Sequence, residues 1–285
     1  MTSLGAVYVT VSDLGRSVAY YQAAIGLRVL ERSGDHAALG AGADAGADPL
    51  LVLVEERGAR PADGYTGLFH FALLLPRRTD LAAWLAHAAR DRVALTGLSD
   101  HFVSEALYLR DPDGHGIEIY SDRPRDVWEG IVAERMTTLP LDVDDLLSEL
   151  GESTSAGYDG MPAGTVMGHV HLRVSAIAET VAFYRDLIGF GLMTQLGSQA
   201  AFLSAGGYHH HIGANTWESA GAGPPPAGSA TIRHATIVLP DRDERDRVLQ
   251  RLRAAGREVE GSPDGPIIRD PSGNPWVLAL DIKQS

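Results

Sequence analysis

His101, Tyr108 and Glu118 are spaced around an Asp-Pro-Asp-Gly turn in the segment HFVSEALYLRDPDGHGIE, residues 101–118. Proline presets one turn angle and glycine tolerates positive φ, so Arg110-Asp111-Pro112-Asp113-Gly114 interrupts a strand. Apolar runs flank it on both sides, and the segment reads as a hairpin. Tyr108 then lies on the incoming strand and Glu118 on the outgoing one, within Gly116-Ile117-Glu118-Ile119-Tyr120. A carboxylate among isoleucines and a tyrosine is costly unless something pairs with it. A metal ion is the partner that suits it. The chain has no cysteine, so such an ion must be held by His, Asp or Glu, donors that suit Fe(II), Mn(II), Zn(II) or Ni(II).

The composition sets outer limits. The 285 residues suit one large domain or two ordinary ones, and 45% hydrophobic with 21% charged residues fits a globular protein with ample core. A formal net charge of −13 argues against nucleic acid or an anionic membrane as partner. The absence of cysteine excludes disulfides, thiolate zinc sites and thiol nucleophiles. No apolar run has the length of a transmembrane helix, and MTSLGAVYVTVSD lacks a basic region before a signal-like core. The expected location is the cytoplasm.

The elements that must position the candidate residues repeat along the chain. Gly5-Ala6-Val7-Tyr8-Val9-Thr10-Val11-Ser12, followed by Ser17-Val18-Ala19-Tyr20-Tyr21 and Ile25-Gly26-Leu27, matches a later run. That run is Gly168-His169-Val170-His171-Leu172-Arg173-Val174-Ser175, with Thr180-Val181-Ala182-Phe183-Tyr184 and Ile188-Gly189-Phe190. Each reads as a strand, a polar turn, an amphipathic helix and a glycine that ends the helix. Phe69-His70-Phe71-Ala72 likewise matches Arg233-His234-Ala235-Thr236, each ahead of a helix (80–92 and 243–255) and a related turn. The expectation is an α+β chain of four βαβββ units, residues 3–58, 66–123, 166–217 and 230–283, which must pack on each other to bury their sheets. They are grouped along the chain as two domains, 1–125 and 166–285. The 126–165 segment between them is an acidic linker with a helix at 143–150 and a Gly/Ser-rich, mobile stretch at 151–164. The Pro/Gly-rich 218–229 segment reads as a surface crossover.

Four such units, with Ser-x-x-Tyr/Phe-Tyr…Gly-Leu/Phe in units one and three, resemble the vicinal-oxygen-chelate superfamily. This superfamily contains glyoxalase I, type I extradiol dioxygenases and bleomycin- or fosfomycin-resistance proteins. Fold alone does not select a reaction. The selection comes from Ser99-x-His101-x5-Leu107-Tyr108-x2-Asp111-Pro112-x-Gly114-x3-Glu118, which resembles the signature of extradiol ring-cleavage dioxygenases. Ser99 stands where that signature has another small or β-branched residue. The chain as a whole is most similar to two-domain bacterial catechol 2,3-dioxygenases.

The resemblance implies a site. The superfamily draws ligands from the first and last strands of paired units, here Ala6, His70, His169 and His234, with Glu118 and Val277. Units two and three together supply His70, Glu118 and His169, whereas units one and four offer only His234. The implied metal ligands are therefore His70, Glu118 and His169, provided units two and three share one cavity. A two-histidine, one-carboxylate triad leaves coordination positions open, as non-haem Fe(II) oxygenases require. The implied cofactor is Fe(II), with Mn(II) an alternative, and O2 is the co-substrate.

Tyr108 matches a tyrosine that hydrogen-bonds the substrate oxygen, and His101 matches a histidine that orients it. The acid–base role falls on Tyr208-His209-His210-His211-Ile212, read as part of the last strand of unit three. Alignment nominates His210, and strand alternation would put His209 and His211 on the opposite face. A one-residue shift exchanges the candidates. His171 is left as a core residue or one packed behind the ligands. The activity implied is opening of a catecholic ring, with a small aromatic molecule as partner; the sequence also allows a homo-oligomer. The rival readings are a glyoxalase-type isomerase or lyase, needing a fourth ligand from the histidine run, and a non-enzymatic protein that binds small aromatic or drug molecules.

Overall fold

The computed structural model describes residues 1–42, 46–151 and 158–281. Unit one comprises β1 (Ser3–Val11), α1 (Leu14–Tyr20), β2 (Arg28–Ser33), β3 (His36–Gly40) and β4 (Leu51–Glu55), and a short β5 (Arg60–Pro61) follows. Unit two comprises β6 (Gly67–Leu74), α2 (Arg78–Arg90), β7 (Leu95–Asp100), β8 (Ser104–Arg110) and β9 (Gly116–Asp122). The intervening segment carries α3 (Arg125–Trp128), α4 (Val132–Arg135), β10 (Leu139–Pro140) and α5 (Val143–Ser148). Unit three is β11 (Val166–Arg173), α6 (Ile177–Ala182), β12 (Gly191–Leu196), β13 (Ala200–Ser204) and β14 (Ile212–Asn215). After β15 (Ser229–Ala230), unit four has β16 (Ile232–Leu239), α7 (Arg242–Ala254), β17 (Ile267–Arg269) and β18 (Pro275–Leu280).

The α+β plan of four βαβββ units is present, with one shortened copy. In unit four the first strand of the closing trio shrinks to a single bridge, Glu260 to Ile267. Pro263 and Pro266 remove backbone donors in that stretch, which a ladder cannot spare. The helices of units one and three both run on into a π turn (Tyr21–Ile25 and Phe183–Ile188) and stop at Gly26 and Gly189. Those glycines adopt φ of 84° and 99°, a conformation that costs a side-chain-bearing residue.

Within every unit the first strand pairs in parallel with the last: β1 with β4, β6 with β9, β11 with β14, and β16 with β18. Between units, first strands pair antiparallel, β1 with β16 and β6 with β11. The result is a seven-stranded sheet from units one and four and a nine-stranded sheet, β10-β7-β8-β9-β6-β11-β14-β13-β12, from units two and three. Each half of the chain, 1–125 and 166–285, thus gives one unit to each sheet. The condition for a shared site is met: units two and three form one continuous sheet.

Side chains along β9 alternate as a half-buried strand requires. Ile117 and Ile119 enter the large apolar core with Leu81 and Trp84 of α2, whereas Tyr120 joins Ala72 and Ala106 in a separate cluster on the other face.

The segment after unit two is more structured than a linker with one helix. Trp128 and Val132 are buried with Val103, and Met136, Tyr208 and Phe102 pack on them. β10 extends the nine-stranded sheet by pairing Leu139 with Asp100 and Pro140 with Ser99. Part of the stretch expected to be mobile, residues 152–157, lies outside the described residues, as do 43–45 of the Gly-rich run at 40–46. Residues 158–161 pack on unit one: the Tyr158 hydroxyl donates to the Ile25 carbonyl (2.7 Å), and Met161 is buried. The crossover at 218–229 is anchored too, since Gly223 accepts from the Thr66 amide and the Ser219 hydroxyl donates to the Val174 carbonyl. No helix among the described residues is long and apolar enough to cross a membrane.

Candidate metal centre

Three adjacent strands, β9, β6 and β11, carry the three expected ligands. Ala72 on the middle strand is the register partner of Glu118 on one side and of His169 on the other. His70 precedes Ala72 by two residues and so shares its face. Ala72 carries only a methyl group and is fully buried, so it does not compete for space with the three longer side chains around it. Their tips converge. His70 Nε2 lies 3.0 Å from Glu118 Oε2, His169 Nε2 lies 3.1 Å from the same oxygen, and the two Nε2 atoms are 3.3 Å apart.

This triangle fits a metal. Bonds of about 2.1 Å meeting at right angles place ligand atoms about 3.0 Å apart, close to the observed edges. All three side chains are buried, and no lysine or arginine side chain among the described residues pairs with Glu118. A buried carboxylate whose partners are imidazoles is a costly arrangement that a divalent cation relieves. Burial by itself pushes the Glu118 carboxyl up, but His169 and His70 outweigh it and hold it well below the ordinary carboxylate range. Burial lowers His169, with Glu118 opposing the shift, so both groups favour the unprotonated, ligating form.

Tyr108 sits directly opposite Glu118 on the β8–β9 ladder, so its phenol projects on the ligand face. Its hydroxyl is 2.7 Å from His101 Nε2, and His101 Nδ1 is 2.7 Å from the Thr137 carbonyl. A carbonyl only accepts, so His101 donates through Nδ1. In the neutral ring, Nε2 then accepts the Tyr108 proton. Burial, and after it the Glu118 carboxylate, push the Tyr108 phenol well above its ordinary range. It therefore stays protonated at neutral pH.

The histidine run departs from expectation. β14 begins only at Ile212, and Tyr208–His211 form the loop that enters it. Gly206 and Gly207, both at positive φ, turn the chain just before the run, so strand alternation does not govern it. His209 and His210 lie side by side, Nδ1 to Nδ1 at 2.8 Å, rather than on opposite faces. His211 turns away, its Nδ1 accepting from the Ala205 amide and lying 3.1 Å from the Ser204 hydroxyl. His210 packs its ring 4.1 Å from that of His169, and burial with the neighbouring imidazoles holds it well below the usual histidine range.

The triad, Tyr108, His101 and His210 line a cavity of about 530 Å³. Its floor is the triad; Tyr108 with His101 and His210 are among its walls, and Phe69, Phe202 and Trp217 add aromatic surface. His171, left as a packing residue, is also in the wall. Its ring is 4.9 Å from that of His70, and a Cβ on Gly213 would come 2.7 Å from it, so glycine makes room for the imidazole. Met136, Thr137 and Thr138 of the supposed linker line the cavity as well. Sequence reasoning missed them; the signal was Trp128, Val132 and Met136 at helical spacing inside an acidic stretch. It also missed Asp122, which holds His209 Nε2 at 2.8 Å. No residue of the 218–229 crossover lines the cavity, in keeping with a surface path.

His234 belongs to the other sheet. It stacks on Tyr8 at 4.0 Å, and Val277 of β18 occupies the position that Glu118 fills in β9. That combination leaves His234 without the strand carboxylate that Glu118 supplies in β9.

The model of the Glyoxalase/Bleomycin resistance protein/Dioxygenase superfamily matches residues 3–119 and 166–278. A catechol-2,3-dioxygenase of Bacillus subtilis (strain 168) is 40% identical over 283 residues, covering 97% of this chain and 96% of the relative. Among solved structures, a provisionally named dioxygenase of Bacillus subtilis superposes with a TM-score of 0.67 at 17% identity, covering 98% of this chain and 85% of that one. Glyoxalase I of Zea mays does so with a TM-score of 0.60 at 16% identity, covering 98% and 92%. At such identities the two structures speak for the fold alone, whereas the two matched repeats and the full-length relative establish that this chain belongs to the glyoxalase/bleomycin resistance protein/dioxygenase superfamily.

Proposed function

We propose that this protein is an Fe(II)-dependent extradiol dioxygenase, which uses O2 to open a catechol-type ring next to its two hydroxyls. The observation that carries this reading is the buried His70–Glu118–His169 triangle at the floor of an aromatic-walled cavity with proton-handling groups around it. The 40%-identical relative, named a catechol-2,3-dioxygenase, supports the same substrate class. Bound by these three residues, Fe(II) supplies Lewis acidity and a redox centre with free coordination positions; Mn(II) satisfies the same donors.

The remaining work falls to the chain. Thr137 fixes His101, His101 accepts the hydrogen bond of the Tyr108 hydroxyl, and the Tyr108 oxygen keeps lone pairs to accept a hydrogen bond from a substrate hydroxyl. His210, in the same cavity, is placed to accept a substrate proton and return it during ring opening. Phe69, Phe202 and Trp217 offer ring faces that exclude water and hold a flat aromatic molecule.

A glyoxalase-type site would need a fourth ligand from the histidine run, but among the described residues only His70, Glu118 and His169 bring their ligand atoms together, and His211 turns toward Ser204. A purely sequestering protein has no need of the triad. The test is anaerobic loading with Fe(II), then addition of catechols and air in an oxygen electrode. Oxygen uptake with a yellow ring-opened product is expected. Silence across several catechols would overturn the proposal.

A further inference from the structure

His209 is fully buried, and both of its ring nitrogens are spoken for. Its Nε2 is 2.8 Å from Asp122 Oδ1, at the end of β9, and its Nδ1 is 2.8 Å from His210 Nδ1. The Tyr208 hydroxyl donates to the same Asp122 oxygen at 3.2 Å, and the Tyr120 hydroxyl lies 2.8 Å from that of Tyr208. Asp122 is therefore the terminal acceptor of two converging chains. His210 is the last member on the cavity side: it lines the cavity, and its Nε2 makes no hydrogen bond to the described protein.

Hydrogen-bond valence then fixes the protons. A carboxylate has none to give, so His209 must donate through Nε2. A neutral imidazole has a single N–H, so His209 Nδ1 is bare and accepts. His210 Nδ1 is its only neighbour in the pair and must supply the proton. That leaves His210 Nε2 with neither a proton nor a partner among the described residues, on a residue that lines the cavity. A protonated His209 would reverse the second bond and place a proton on His210 Nε2 instead. The two states are thus distinguishable by where the protons sit.

We infer that Asp122 and His209 are positioning residues that lock His210 in its Nδ1–H tautomer and present a bare Nε2 to the substrate. What that lone pair does rests on the proposed dioxygenase reading, where it takes the proton of a substrate hydroxyl. The locking itself does not depend on that reading. Tautomer selection by a buried carboxylate is a general device, and its loss leaves a correctly placed imidazole with the wrong nitrogen protonated.

The test reads protons directly. In histidine-15N-labelled protein loaded with Zn(II) at pH 8, where an ordinary imidazole is neutral, two-bond 1H–15N spectra identify each tautomer. His210 is expected with Nδ1 protonated and Nε2 bare, and His209 with the opposite pattern. Asp122→Ala should leave His210 a mixture of tautomers. In the Fe(II) enzyme it should lower kcat more than tenfold while metal content and KM stay within about twofold. Asp122→Glu, which keeps a carboxylate that can only accept, should restore part of the loss, whereas Asp122→Asn, whose amide can also donate to His209 Nε2, should not. His209→Gln covers the case in which Asp122→Ala fails to fold: its amide can donate to Asp122 and accept from His210, so the His210 tautomer should persist, whereas His209→Leu should lose it. A protonated Nε2 on His210 in the unsubstituted protein overturns the inference. So does an Asp122→Ala spectrum in which the His210 tautomer is unchanged. If the unsubstituted protein turns over no catechol, the dioxygenase reading fails, and the spectra still decide the tautomer.

Discussion

Glu118 and His169 face each other across Ala72, which is the register partner of both. Two parallel-paired strands and one antiparallel pair thus bring a carboxylate from unit two and an imidazole from unit three to one oxygen–nitrogen contact of 3.1 Å. The site is a product of strand register more than of any loop. A register slip of one residue would turn either side chain to the other face of the sheet.

The space above Ala72 gives the first prediction. Replacing it with leucine adds three carbons at a fully buried point between two ligands. The fold should survive at a cost of about 1–3 kcal/mol, the usual penalty for overpacking. Metal content after dialysis should fall at least tenfold. Elemental analysis alongside a thermal melt separates the two effects.

Glu118→Ala removes the only carboxylate of the triangle and should abolish stoichiometric metal binding. His234→Ala alters the copy that has Val277 where unit two has Glu118, and should leave metal content and turnover within about twofold. Equal losses in both variants would mean that the sheet of units one and four takes part in the chemistry.

Tyr108→Phe deletes the hydroxyl that links His101 to the cavity while keeping the ring that packs beside His70. Metal content should be unchanged, and kcat should drop by about 10²-fold, typical for loss of a proton-handling group. A change confined to KM would assign the tyrosine to substrate packing alone.

Much of this site was legible in the sequence because its residues stand on regular strands. Period-two alternation put Tyr108 and Glu118 on one ladder, and the internal repeat put His70 and His169 at equivalent positions of their units. The repeat could not say which units pair. That depends on first-strand contacts between residues about a hundred positions apart, such as His171 with His70. The histidine run was misplaced because two glycines at positive φ bend the chain ahead of it, and a glycine pair does not announce its φ. Thr137 and Met136 were hidden for a different reason. Their segment is polar and acidic overall, and its few apolar residues acquire meaning only against Val103 and Tyr208.

Acid should unfold the metal-free protein through its buried histidines. Burial, with help from nearby imidazoles, lowers His211 to about 4, against about 6.5 in an unfolded chain. The unfolded state therefore binds the extra proton first. The stabilisation is intact above pH 6.5 and drains away between about pH 6.5 and 4, by an amount on the order of 3 kcal/mol for this one group. Urea melts across that range should show the slope, and His211→Gln, which keeps an acceptor for the Ala205 amide, should flatten it. An unchanged slope would move the effect to other groups.

The central claim is that the His70–Glu118–His169 site splits a catechol ring with dioxygen. The most direct measurement is a single turnover of Fe(II)-loaded protein with catechol under 18O2, read by mass spectrometry. Both labelled atoms should appear in one product, opened next to the diol, and neither should appear with Glu118→Ala. A product carrying no labelled oxygen, or equal labelling by the Glu118→Ala protein, would contradict the account.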